Sequence, residues 1–256
     1  GLERREGRVS IPAIHISRKT ADLILSTAGT STEAMENKLN TARKPSSFGT
    51  DLTVSAGAEV QPTTTTTYNV IAYLKGSNPE TADKHIVIGA HYDHLGMGGM
   101  RSSSRKPDTI AVHNGADDNA SGVSALIEIA EALALGTEPP AISYLFIAFG
   151  AEEMGLLGSK HYVNNPLLPL EDIRVMINLD MVGRLRNQQL QVGGVGTAKE
   201  SEEIVTRLIP HDSLVLSTTM EGFGASDHSS FNGEEIPVLF LTTGAHSDYH
   251  TPEDDI

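Results

Sequence analysis

The stretch His85-Ile86-Val87-Ile88-Gly89-Ala90-His91-Tyr92-Asp93-His94 decides the fold. Its first six residues form a near-continuous apolar run, the pattern of a strand buried on both faces of a parallel sheet. The run then delivers a histidine and an acid. Three later apolar runs end the same way. Residues 142–149 lead to Glu152-Glu153, residues 173–179 lead to Asp180, and residues 236–241 lead through a loop to His250. Helical periodicity lies between them. Val123, Leu126, Ile127, Ile129, Ala130 and Leu133 share one face of a helix expected over 121–135, stopped by Gly136 and Pro139-Pro140. Shorter helices are expected over 156–163 and over 199–208, the latter with Ile204, Val205 and Leu208 inward. Residues 68–74 and 190–192 read as further strands. Strands alternating with helices imply an α/β fold of three layers, a mostly parallel, mixed sheet flanked by helices.

The chain changes character upstream. Residues 11–16 read as a short strand, and Ser17 as the N-cap of a helix over 18–26 with Ala21, Leu23, Ile24 and Leu25 on its apolar face. Residues 29–61 are polar and weakly alternating. The five threonines Thr63 to Thr67 follow Pro62 and read as an extended linker. A domain boundary is placed there, separating residues 1–66 from 67–256. Within the second part, residues 96–108 are rich in Gly, Ser and Arg and form a long loop of the kind that carries function.

Composition narrows the function classes. The chain has 256 residues, 39% of them apolar, and no run reaches the roughly 18 apolar residues of a membrane span. No cysteine is present, which excludes disulfides, a thiolate nucleophile and thiolate-bound zinc. A net charge of −14 argues against nucleic acid, whose binding rests on basic contacts to phosphate.

Imidazole and carboxylate donors delivered to one crevice are what a metal site requires. The supply is His91, Asp117, Glu153, Asp180 and His250. Two metals about 3.5–4 Å apart can share a carboxylate and a water. With one bridging carboxylate, these five residues give each metal three protein ligands, and Asp117, on the loop before the helix, is the expected bridge. Asp118, Asn119 and Ser121 read as ordinary helix-capping residues. Asp93 lies two residues after His91, on the same side of an extended segment, and can orient that imidazole. In the Glu152-Glu153 pair one carboxylate can ligate while the other acts as general base. Asp227-His228-Ser229 holds the residue types of a serine triad, but triads are assembled from distant segments. Gly193-Gly194-Val195-Gly196 lacks the spacing of a dinucleotide loop.

The motifs Gly89-Ala90-His91-Tyr92-Asp93-His94, Asn114-Gly115-Ala116-Asp117-Asp118-Asn119-Ala120-Ser121-Gly122, Phe149-Gly150-Ala151-Glu152-Glu153, Asn178-Leu179-Asp180-Met181 and Ser226-Asp227-His228, with His250-Thr251-Pro252, resemble those of the co-catalytic di-zinc aminopeptidases of the bacterial leucyl aminopeptidase and aminopeptidase Y type. They occur in family order over about residues 68–256. The resemblance implies a zinc exopeptidase fold, two Zn2+ ions, and peptide substrates with a free N-terminus. It implies that His91 and Asp180 hold one zinc, Glu153 and His250 the other, and Asp117 bridges them. Glu152 would be the general base, Asp93 would orient His91, and a cis peptide would follow the bridge at Asp117–Asp118. A bridging hydroxide would attack the carbonyl beside the free amine. Residues 11–25 resemble the last strand and helix of a protease-associated domain, which makes residues 1–66 the tail of such a domain. The family also implies a secreted or periplasmic location and a further helix after residue 256.

Three alternatives share the scaffold. A carboxypeptidase of the glutamate carboxypeptidase type needs basic groups for a free carboxylate, for which Arg101, Arg105 and Arg184 are the candidates. A glutaminyl cyclase would hold a single zinc. A receptor-like relative would have lost ligands that this chain retains.

Overall fold

The computed structural model describes residues 14–55, 64–100, 102–209 and 213–256. By contacts the chain divides into two compact units, Gly1–Thr65 and Thr66–Ile256.

In the first unit Ser17 caps helix α1 (Arg18–Ser26), its Oγ accepting the Thr20 N–H at 3.2 Å. A second helix, α2 (Thr32–Ala42), is capped by Ser31. Its polar sequence carries no apolar stripe, so periodicity did not reveal it, and neither helix buries a residue. Of the strand expected over 11–16, residues 11–13 lie outside the described residues, and residues 14–16 have no regular structure.

The second unit is built on a seven-stranded sheet. Its strands are β1 (Val70–Leu74), β2 (His85–His91), β3 (Ser143–Phe149), β4 (Ile173–Leu179), β5 (Gln189–Gly193), β6 (Val215–Thr218) and β7 (Val238–Thr242), in the order β1-β3-β2-β4-β7-β5-β6. The four central neighbours, β3, β2, β4 and β7, run parallel to one another. Strand β1 is antiparallel to β3, and β5 is antiparallel to β7. The sheet is therefore mixed with a parallel centre.

Period-two alternation sorts the core into two layers. Val87, Leu145, Ile147, Phe149, Met176 and Val238 face one side, where Tyr162 and Val163 of α4 (Leu157–Asn164) and Phe231 of α6 (His228–Asn232) complete a cluster. Ile88, Ala90, Phe146 and Leu179 face the other side, against Leu126 of α3 (Gly122–Leu135). Gly89 is required in the middle of β2, because a Cβ there would stand 2.5 Å from the Phe149 ring. Helix α5 (Ser201–Leu208) starts two residues later than expected and buries Val205. Ile204 and Leu208, expected to point inward, are exposed. Strand β6 and helix α6 were not anticipated, being only four and five residues long.

Met176 lies fully buried at the centre of the sheet. Met176→Ala should lower unfolding free energy by about 2–5 kcal/mol. Met100→Ala, at an exposed site, should change it by less than about 0.5 kcal/mol. Urea unfolding of the two variants against the parent checks the difference, and equal midpoints would contradict this core.

Candidate metal centre

Because the four central strands are parallel, their C-terminal ends open on one edge of the sheet. That edge receives His91 from β2, Glu152-Glu153 beyond β3, Asp180 beyond β4, and the loop beyond β7 that carries His246 and His250. A turn over Ala116–Ser121 brings in Asp117, Asp118 and Asn119, all three buried.

Asp118 stands at the centre. Its Oδ1 lies 3.2 Å from His91 Nε2 and its Oδ2 lies 3.1 Å from His250 Nε2. Asp180 Oδ1 joins the His91 side at 3.6 Å from Nε2, and Glu153 Oε2 joins the His250 side at 3.2 Å. Asp117 does not take part. Its Oδ1 accepts the Gly183 N–H at 2.7 Å, and its Oδ2 faces His246 Nε2 at 3.3 Å. The carboxylate lying between His91 and His250 is therefore Asp118 and not Asp117, and the residue read as a simple cap is the central one. The cis peptide is likewise one residue later than expected, at Asp118–Asn119. The backbone through this turn points the two adjacent side chains to different places.

Both central imidazoles are held from behind. His91 Nδ1–H donates to the Asp93 carbonyl at 3.1 Å, and His250 Nδ1–H donates to the Ser103 carbonyl at 3.0 Å. Each tautomer is thereby fixed with Nε2 turned to the carboxylates, as a metal-ligating histidine requires. The contact expected of the Asp93 carboxylate with the His91 ring is made by the Asp93 backbone carbonyl instead. The carboxylate, with Oδ1 3.8 Å from His91 Nδ1, accepts the backbone N–H groups of Glu152 and Glu153 at 2.9 and 3.3 Å. One residue thus fixes both a histidine and the acidic pair.

A second ring of contacts went unread in the sequence. Asp254, fully buried, accepts the N–H groups of Asp117 and Asp118 and a hydrogen bond from Arg184 Nη2 at 3.0 Å. Arg184 also donates to Asp248. Asn119 bonds the Leu179 carbonyl and accepts from the Gly122 and Met181 N–H groups, which ties the turn to the end of β4. Ser226 donates to Asp180 Oδ2 at 2.6 Å and accepts from Asn178. Ser226 and Asp254 fall within or beside the family motifs without a role of their own, and only the tertiary fold gives them and Asp248 partners.

The donor set fits divalent cations. Four carboxylates, from Asp118, Glu152, Glu153 and Asp180, surround His91 and His250 with little solvent exposure. Asp117 Oδ2, Glu153 Oε1 and His94 Nδ1 and Nε2 are buried with no hydrogen-bond partner. Burial acts to lower the His91 imidazole, but Asp118, Asp180 and Glu152 outweigh it and raise it to about 12. His250, raised chiefly by Asp118 and Glu153 against burial, reaches about 10. Burial pushes Glu152 up to about 8, with Asp227 and Asp180 adding like charge and His91 opposing. Asp227 is pushed by burial to about 7.

Residues 69–256 match the sequence profile of Peptidase family M28. This chain belongs to peptidase family M28. Aminopeptidase YwaD of Bacillus subtilis (strain 168) is 34% identical over 207 residues, covering 76% of this chain and 41% of that protein. Leupeptin-inactivating enzyme 1 of Streptomyces exfoliatus is 31% identical over 181 residues, covering 70% of this chain and 36% of its own length. The solved structure of BSAP, a zinc aminopeptidase from Bacillus subtilis, aligns with a TM-score of 0.56 at 31% identity, over 73% of this chain and 44% of that chain. The chain thus spans less than half the length of these M28 relatives. No helix among the described residues is long and apolar enough to cross a membrane.

The titrations set a pH dependence for the metal-free protein. Between the ordinary value of 4.5 and about 8, folded Glu152 keeps a proton that the unfolded chain releases. Each step up in pH therefore favours unfolding. Asp227 acts alike up to about 7, and His91 and His250 do so above 6.5. His228, lowered by burial to about 4, opposes this up to 6.5, so in excess chelator the thermal unfolding temperature should fall from about pH 5 to pH 8, more steeply above 6.5. A flat or rising profile would contradict the burial and pairing described here.

Proposed function

We propose that this chain carries the catalytic centre of a two-zinc aminopeptidase. The observation supporting it is the Asp118 carboxylate, with one oxygen against His91 and the other against His250. His91 and Asp180 would complete one metal position, and Glu153 and His250 the other. Zinc bound there supplies a Lewis acid for the scissile carbonyl and lowers the pKa of water to about 7.

The protein's own groups supply the rest. Glu152 Oε2 lies 3.9 Å from His91 Nε2, at the edge of the cluster, and burial makes it proton-hungry. It takes a proton from the attacking water and returns it to the leaving amine. Asp93 holds it in place through the backbone N–H of Glu152. The surplus of carboxylates suits the ammonium of a peptide N-terminus. A carboxypeptidase needs a free cation for the substrate carboxylate; Arg184 is committed to Asp248 and Asp254, and the candidate left among the described residues is Arg105, exposed in the loop whose backbone meets the His250 carbonyl. Arg101 lies outside the described residues.

Residues 1–66 are read as the end of a protease-associated domain, and the enzyme as secreted or periplasmic, both on family resemblance. Glu152→Gln should retain the metal content of the parent and lose at least about 10²-fold in turnover. The assay is cleavage of amino-acid p-nitroanilides, with N-acetylated counterparts as the control that should resist. Undiminished turnover by the variant would remove the base assignment, and equal cleavage of the acetylated substrate would remove the aminopeptidase reading.

A further inference from the structure

His94 is an imidazole at the centre to which neither sequence nor resemblance gives a role. Its side chain is 9% exposed, and both ring nitrogens lack a hydrogen-bond partner. A buried imidazole whose nitrogens make no hydrogen bond is costly to retain, and its near neighbours here are carboxylates. Nδ1 lies 2.8 Å from Glu153 Oε1 and 3.8 Å from Asp118 Oδ2. Glu153 Oε1 is itself buried with no hydrogen-bond partner, while Oε2 of the same carboxylate faces His250 at 3.2 Å. Glu153 therefore spans two imidazoles.

The ring is held there by the fold. Gly115, at φ +63°, leaves the space, since a Cβ on it would stand 2.7 Å from His94 Cγ. Behind it lies His113, with ring centroids 6.4 Å apart, anchored by Ser104 Oγ at 2.8 Å and the Ala111 carbonyl at 3.0 Å. The His94 and His250 rings meet edge to face at 5.8 Å.

Donors about 2.0–2.1 Å from a tetrahedral zinc stand about 3.3 Å from one another. The imidazole-to-carboxylate separations around this position are 2.8, 3.8, 3.1 and 3.2 Å. We infer that His94 is a fourth protein ligand of the metal position formed by Asp118, Glu153 and His250. That position is then closed, with two imidazoles and two carboxylates. The position formed by His91, Asp118 and Asp180 keeps three protein ligands and an open place for water or substrate. Closed sites are the structural kind and open ones the catalytic kind. The division assigns retention of metal to the His94 side and chemistry to the side that Glu152 borders. This inference rests on the two-metal reading above.

The test is made on the full chain, stripped with chelator and reloaded. Zinc X-ray absorption of the parent counts imidazoles directly and requires no variant. Three imidazoles per two zinc ions are expected, and two would overturn the inference. Calorimetric titration with Co2+ should show two equivalents of unequal affinity. In His94→Ala the tighter one should weaken by at least about tenfold, with the other unchanged. His94→Asn, which can still donate a hydrogen bond to Glu153, should not restore it, and restored affinity would reduce His94 to a positioning role. If the parent binds no metal, the two-metal reading itself fails. If it binds two with or without His94 alike, only this inference does.

Discussion

One carboxylate meeting two histidines organises this structure. Asp118 is buried, and each of its oxygens faces a different imidazole. Glu152, Glu153 and Asp180 crowd the same space, so four carboxylates share a region of restricted solvent. Like charges so close cannot all ionise without compensation. Protonated His91 and His250 offset part of it in the metal-free protein, and Glu152 keeps its proton up to about pH 8. Divalent cations remove the conflict, because they accept all these lone pairs and leave the imidazoles neutral.

The scaffold holds this unfavourable set together with backbone groups. Parallel β3, β2, β4 and β7 bring their ends to one edge, which is why residues 59 to 62 positions apart, such as Asp93 with Glu152 or Asn119 with Met181, become neighbours. Carbonyls of Asp93 and Ser103 aim the two histidines. Asp254 accepts two consecutive N–H groups of the turn that carries Asp118, and Asn119 ties that turn to β4. The two histidines are thus aimed by neutral carbonyls, while the acidic pair and the turn are held by backbone N–H groups on the Asp93 and Asp254 carboxylates.

Much of this was legible before any coordinates. Apolar runs ending in His or acid pointed to the strands, the parallel centre and the residues at its edge, because burial on both faces leaves a clear signature in β2 and β3. What failed was local. Asp117 and Asp118 are identical neighbours, and only the path of the backbone decides which faces the histidines. Asp254, Ser226 and His94 carry no periodic signal, since their partners come from distant segments. Helix α2 was missed because it buries nothing, and strand β6 because four residues are too few to show a period.

Diffraction at the zinc absorption edge, from crystals of the full chain grown with zinc, is the most direct measurement of the central claim. Two anomalous peaks are expected astride the Asp118 carboxylate, one beside His91 and Asp180 and the other beside Glu153 and His250. A single peak, or a peak on Asp117 with Asp118 turned away, would contradict it.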